Sequence, residues 1–162
     1  MSVSLLQMNG IESEEELTAM LASTKADVDR ELSEVKETEA QLRKTNLLIH
    51  NTGQYLINKA VYKEYLNAQD RQTFRKEHES SLLLYEAARK ELRELSGGKK
   101  IPMLKKLKTE KAALVAKKNE QYESYSFARS KLRELQTVEQ NVRAILETGR
   151  KQEIIKKQER GS

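Results

Sequence analysis

The chain has 162 residues, of which Ala, Glu, Lys, Leu and Arg account for 86, a mix typical of long helices and coiled coils. Only 37% of residues are hydrophobic while 34% are charged, which excludes a thick buried core and argues against an independent enzyme fold. The chain contains no cysteine, so it has no disulfide framework, thiolate metal site or cysteine nucleophile, and a cytoplasmic setting is the expectation.

Six glycines and one proline leave few places to stop a helix, and their positions divide the chain. Ser13 followed by Glu16 fits a capping box, predicting a helix from about Glu14. From there an apolar residue recurs every seventh position at Leu21, Val28, Val35, Leu42, Ile49 and Leu56. The partner heptad column is Leu17, Thr24, Glu31, Thr38, Thr45 and Thr52, mostly polar, so the seam is half hydrophobic and the helix needs a partner. The apolar column fails at Lys63, and Thr52-Gly53 just before it predicts a break or kink, with the first helix running to about Asn51. A short segment carrying Tyr55, Tyr62, Tyr65 and Leu66 near one face follows, and Asp70 offers an N-cap. The next helix places Phe74, His78, Ser81, Tyr85, Ala88, Leu92 and Leu95 at steps of four and three. Residues 96–100 form a loop, and Pro102 suits the first turn of the last long helix. Its heptad runs through Leu104, Leu107, Leu114, Tyr125, Ala128, Leu132, Leu135, Val142 and Leu146, leaky in the first half and regular in the second, to about Glu147.

The predicted fold is all-α: an elongated antiparallel helical bundle or coiled-coil hairpin of long amphipathic helices. Residues 1–12 are expected to be a flexible N-terminus and residues 13–148 a helical domain with breaks near 52–53, 68–70 and 96–102. Residues 149–162 form a basic tail that frays or extends as a lone helical stretch. A parallel or antiparallel homodimer is the rival arrangement, because one chain does not obviously cover the half-polar seam. No apolar run approaches the roughly 20 residues of a membrane span, and no membrane association is expected.

The mild net charge of +5 conceals strong segregation. Residues 12–39 carry ten acids against three bases, a net of −7. Residues 99–118 carry Lys99, Lys100, Lys105, Lys106, Lys108, Lys111, Lys117 and Lys118 against Glu110 alone, a net of +7. In an antiparallel hairpin Arg43, Lys44, Lys59 and Lys63 would join that basic pole. Clustered cations displace condensed counterions from nucleic acid, so these residues are the candidate DNA-contacting set. Lysine without arginine in the block favours backbone contact over base reading. A solvated helix face and an acidic protein partner are the competing readings of the same lysines.

No catalytic constellation emerges. His50 and His78 stand 28 residues apart with no metal-ligand spacing, so no metal or cofactor is expected. His78 falls on the apolar stripe and reads as a packed residue, His50 as a surface one. Gly97-Gly98-Lys99-Lys100 lacks the spacing of a phosphate-cradling loop and reads as a turn. The six tyrosines read as core or rim rather than as base-stacking platforms.

Three segments carry a family resemblance: YLINKAVYKEYLNA at residues 55–68, LLLYEAARKEL at 82–92, and IPMLKKLKTEKAALVAKKNEQYESYSFARSKLRELQTVEQNVRAIL at 101–146. Together they resemble the C-terminal helical region of relaxases, the mobilisation nucleases of Gram-positive plasmids and integrative conjugative elements. The most distinctive run is proline, lysine-rich stretch, Y-x-x-Y, then RELQTVEQNV. The resemblance implies a bacterial protein acting in conjugative DNA transfer, with DNA and conjugation accessory or coupling proteins as partners. The nuclease domain of such proteins uses a histidine-bound metal and a nucleophilic tyrosine. The histidine cluster is missing here, so no catalytic residue carries over and the chain is expected to be a non-catalytic part. The alternative is a structural coiled-coil module that dimerises or docks a protein without touching nucleic acid.

Overall fold

The computed structural model describes residues 13–160, and the N-terminal segment expected to be flexible lies outside the described residues. The fold is all-α, with no strand among the described residues. Among the described residues four helices follow in order: α1 (Glu14–Asn67), α2 (Arg71–Glu77), α3 (Glu79–Ser96) and α4 (Leu104–Arg160). The described residues divide into two compact units. One is formed by residues 13–35 together with 120–160, the other by residues 36–119. Within each unit α1 and α4 run antiparallel. Leu17 clusters with Leu135, Val138 and Val142 in the first unit, and Glu39 pairs with Lys118 in the second.

α1 starts where the capping box places it, with the Glu16 amide donating to Ser13 Oγ at 3.1 Å. It does not break at Gly53. The helix continues through that glycine for 54 residues, about 81 Å at 1.5 Å per residue, instead of ending near Asn51. What changes there is the seam. Up to Thr45 the most buried column is that of Leu17, Thr24, Thr38 and Thr45, whereas beyond it Asn51 and Asn58 are buried and Leu56 is exposed. The buried stripe has moved one residue earlier, through Thr52, Tyr55 and Asn58 at successive steps of three. Such a three-residue insertion overwinds a heptad locally without interrupting the backbone ladder. The failure of the apolar column at Lys63 therefore marks a phase shift, and a helical glycine that costs about 1 kcal/mol relative to alanine is outweighed by packing on both sides of it.

Three polar seam residues of the second unit are satisfied by their own helix, whereas Thr52 Oγ1 is buried without a hydrogen-bond partner among the described residues. Thr45 Oγ1 donates to the Gln41 carbonyl, Asn51 Nδ2 to Leu47 and Asn58 Nδ2 to Gln54, each one turn back. Back-bonding of this kind removes the penalty of burying a donor but contributes no cross-helix bond. α3 supplies the apolar material that α1 lacks here, since Leu82, Tyr85, Ala88 and Leu92 are all buried.

α1 ends at Asn67, where Arg71 donates to the Leu66 carbonyl at 3.0 Å. Asp70 caps α2 as its position suggests, accepting from the Thr73 amide and from Thr73 Oγ1 at 2.6 Å. Those bonds hold its carboxyl below the usual aspartate value. The helix expected from Asp70 onward is split at His78, which closes α2 and opens α3. The His78 ring lies on Phe74 with centroids 4.3 Å apart, so this half-buried histidine serves packing. α3 stops at a Schellman turn. Gly97 takes φ +60°, its amide donates to Glu94, and the Gly98 amide donates to Arg93.

α4 opens after the loop at Leu104. Pro102 lies just ahead of the helix rather than in its first turn, and Met103 supplies the carbonyl that accepts from the Leu107 amide. The stripe expected on α4 is visible as buried Leu107, half-buried Leu114, Tyr125, Ala128 and Leu132, then buried Leu135 and Val142; Val138, outside the expected heptad, is buried as well, and the expected Leu146 is exposed. Instead of ending near Glu147, the helix runs through Gly149 to Arg160, and every residue from Leu146 on is exposed. The second of the two fates open to the tail, a helical stretch with its surface bare, is the observed one.

Candidate functional site

The chemistry-bearing residues of the second unit sit where three local structures meet: the middle of α1, the C-terminal half of α3, and the loop leading into α4. Lys99, Lys100, Lys105, Lys106, Lys108, Lys111 and Lys117 are exposed. None of the seven is in an ion pair among the described residues. Lys118 differs: it is half-buried and its Nζ lies 3.8 Å from Glu39 Oε1 on α1. At about 100° per residue, Lys106 and Lys117 fall on one flank of α4 and Lys108 and Lys111 on the other, with the seam residues Leu107 and Leu114 between them. The lysines therefore form a collar around the helix rather than a single stripe.

Arg43 lines a shallow groove with Lys118 and Glu39, and Lys44 lines another with Glu110 and Leu114, so both are brought beside α4. Lys59 and Lys63 are exposed on α1, and no described contact joins either to the α4 lysines. Lys59 Nζ instead lies 5.8 Å from the centroid of the Tyr55 ring.

The tyrosines explain how this unit is held. Tyr85 of α3 stacks between Tyr55 and Tyr62 of α1, with centroids at 5.0 and 4.2 Å. The chain of rings continues through Tyr65 to Phe74 of α2. Arg75 lies 5.2 Å from the Tyr65 ring and pairs with Glu86, tying α2 to α3. Burial, followed by the hydroxyl of Tyr55, pushes the Tyr85 phenol above its ordinary value. Offset-stacked aromatic pairs each add about 0.5 to 1.5 kcal/mol beyond their burial, so these rings fasten α2 and α3 to α1.

Beside this ladder lies an open groove of about 670 Å³. Its rim carries Arg89 and Arg93 of α3, Lys99 of the loop and Lys105 of α4, and no acidic side chain lines it. Its apolar wall is built from Leu56, Leu92, Ile101 and Met103, of which Met103 is 81% and Leu56 52% exposed. Two of the lysines singled out in the sequence, Lys99 and Lys105, are thus joined by two arginines that sequence reading passed over. Arg89 and Arg93 are four residues apart and so share a helix face. That spacing was the available signal, hidden because the segment reads most strongly through its apolar stripe.

The arrangement offers positive charge and apolar surface and little else. Among the described residues no group of three histidine, aspartate or glutamate side chains could hold a metal ion. His50 is exposed and His78 is stacked on Phe74. No described helix is long and apolar enough to cross a membrane. Comparison with family models, with curated proteins and with solved structures returned no match.

Proposed function

We propose that this chain is the non-catalytic helical domain of a relaxase, supporting conjugative DNA mobilisation by contacting the DNA backbone with the lysine collar of its second unit. The observation that carries the reading is the unneutralised charge. Seven of the eight lysines between residues 99 and 118 are exposed without an ion-pair partner among the described residues. The resemblance of residues 101–146 to relaxase C-terminal regions supplies the setting, and conjugation accessory or coupling proteins are the protein partners it suggests.

The collar geometry sharpens the expectation. A duplex lying against the side of α4 that carries Lys105, Lys108 and Lys111 meets three cations, not eight, and each neutralised phosphate contributes about −0.9 to the slope of log K against log salt. A slope of about −3 is therefore expected in a mobility-shift titration over a salt series. Replacing Lys105, Lys106, Lys108 and Lys111 with glutamine should flatten that slope and leave helicity intact. An absence of binding at low salt, or a slope that survives the quadruple substitution, would sink the DNA reading.

The second reading, a module that dimerises or docks a protein without nucleic acid, draws support from bare apolar side chains, with Phe127 75% and Ile57 72% exposed. Light scattering after size exclusion separates its dimeric form: a mass near 18.7 kDa removes it, and a doubled mass favours it.

A further inference from the structure

We infer that the groove between α1, α3 and the 97–103 loop is a docking site for an acidic amphipathic segment of a partner protein. The inference shares Lys99 and Lys105 with the DNA reading but is separable from it, because Lys106, Lys108, Lys111 and Lys117 do not line this groove. Charge complementarity selects the occupant. Arg89, Arg93, Lys99 and Lys105 rim the groove without an acid among its lining residues, and none of the four is ion-paired among the described residues.

The floor distinguishes a peptide from a phosphate chain. Met103 and Leu56 hold 81% and 52% of their surface in water, and Ile101 and Leu92 continue the same wall. A phosphodiester backbone gains nothing from covering that surface, whereas an amphipathic helix lays apolar side chains into such a groove and keeps its carboxylates at the rim. A single nucleic-acid strand would need an aromatic face on which to stack a base. Tyr55 is the one aromatic residue lining the groove, and its ring is already engaged. It stacks on Tyr85 at 5.0 Å and has Lys59 Nζ over it at 5.8 Å. At about 670 Å³ the groove falls in the roughly 300 to 1,000 Å³ range of pre-formed ligand sites.

The test is fluorescence anisotropy on the full chain with a labelled helical peptide of roughly twelve residues, carrying leucines at i, i+4 and i+7 and glutamates on its flanks. A counterpart with lysine in place of every glutamate and an oligothymidylate serve as comparison probes. The glutamate peptide should bind saturably, and its lysine counterpart at least about tenfold more weakly. Met103→Ser, which removes an apolar anchor without altering charge, and the double substitution Arg89→Gln with Arg93→Gln should each weaken the peptide about tenfold. Because these side chains are exposed, the melting temperature should hold. Lys106→Gln with Lys108→Gln and Lys111→Gln should leave peptide affinity within about twofold while reducing DNA affinity, which separates failure of this inference from failure of the DNA reading. No saturable binding of the glutamate peptide, equal binding of its lysine counterpart, or indifference to Met103→Ser overturns the proposal. Displacement of the peptide by oligothymidylate that persists in the triple glutamine variant overturns it too, in favour of nucleic acid.

Discussion

The two compact units bury their interiors by different chemistry. In the first, α1 and α4 meet through an aliphatic cluster of Leu17, Leu135, Val138 and Val142, with Met20 and Leu21 packed beside it. In the second, α1 presents Thr38, Thr45, Asn51 and Asn58 to the interior. There α3 contributes Leu82, Tyr85, Ala88 and Leu92, α4 adds Leu107, and tyrosines bind the helices together. A heptad seam with enough apolar positions closes between two helices alone, whereas a polar one needs a third element. The second unit is also where the loop, the lysine collar and the rimmed groove are found. Its extra helix serves both ends, completing the core and carrying Arg89 and Arg93 on its outer face.

The sharpest way to test this contrast is to open a cavity in each unit. Leu82 is fully buried and Leu135 is 4% exposed. Leu82→Ala should cost about 3 to 4 kcal/mol in urea unfolding and strip hydrogen-exchange protection from residues 36–119. Leu135→Ala should cost about 2 to 3 kcal/mol, because two helices close over a void more easily than three, and should strip protection from the first unit only. Equal loss of protection in both units from either substitution would show a single cooperative block and break the comparison.

Glycine substitutions give a smaller effect of opposite sign at two positions of the second unit. A Cβ at Gly53 or at Gly97 would meet nothing within 4 Å, but only Gly97 has a positive φ, +60°. Gly53→Ala should therefore stabilise the unit by about 0.5 to 1 kcal/mol, while Gly97→Ala should destabilise it by about 1 kcal/mol. Both would be measured by urea unfolding. A destabilising Gly53→Ala would show that the seam shift needs the glycine after all.

The smallest effect lies in alkaline solution. Tyr85 has a raised pKa, so the folded state holds the phenolic proton more tightly than the unfolded chain does. Its contribution is fully present below the ordinary value of 10.0 and declines as pH rises beyond it. Exchange protection in the second unit should weaken in that window in the wild type and less so in Tyr85→Phe. The cluster of Leu17, Leu135, Val138 and Val142 in the first unit contains no titratable side chain, so an equal loss there would assign the transition to general alkaline unfolding.

The helical class, the caps at Ser13 and Asp70, the turn at Gly97-Gly98 and the column from Leu21 to Ile49 could be read directly, because each rests on interactions within a turn or two of one chain segment. Sequence reading failed where the deciding contacts come from elsewhere in the chain. Gly53 reads as a break because its cost is local, while the packing that keeps the helix intact comes from Tyr85 against Tyr55 and Tyr62. The division at His78 was likewise invisible, since the apolar spacing passes through it unbroken.

The same line separates charge from site. The sequence alone determined how much charge the 99–118 block carries and that Glu110 is the one acid within it, since both are properties of composition and spacing. Only the tertiary structure decided that Lys118 is tied to Glu39, that Lys105, Lys106, Lys108, Lys111 and Lys117 stay exposed around α4, and that Lys99 and Lys105 share a groove with Arg89 and Arg93. Charge is additive along a chain, but a binding surface depends on which turns of different helices come together, and that is settled by packing at the tyrosine ladder and the 97–103 loop.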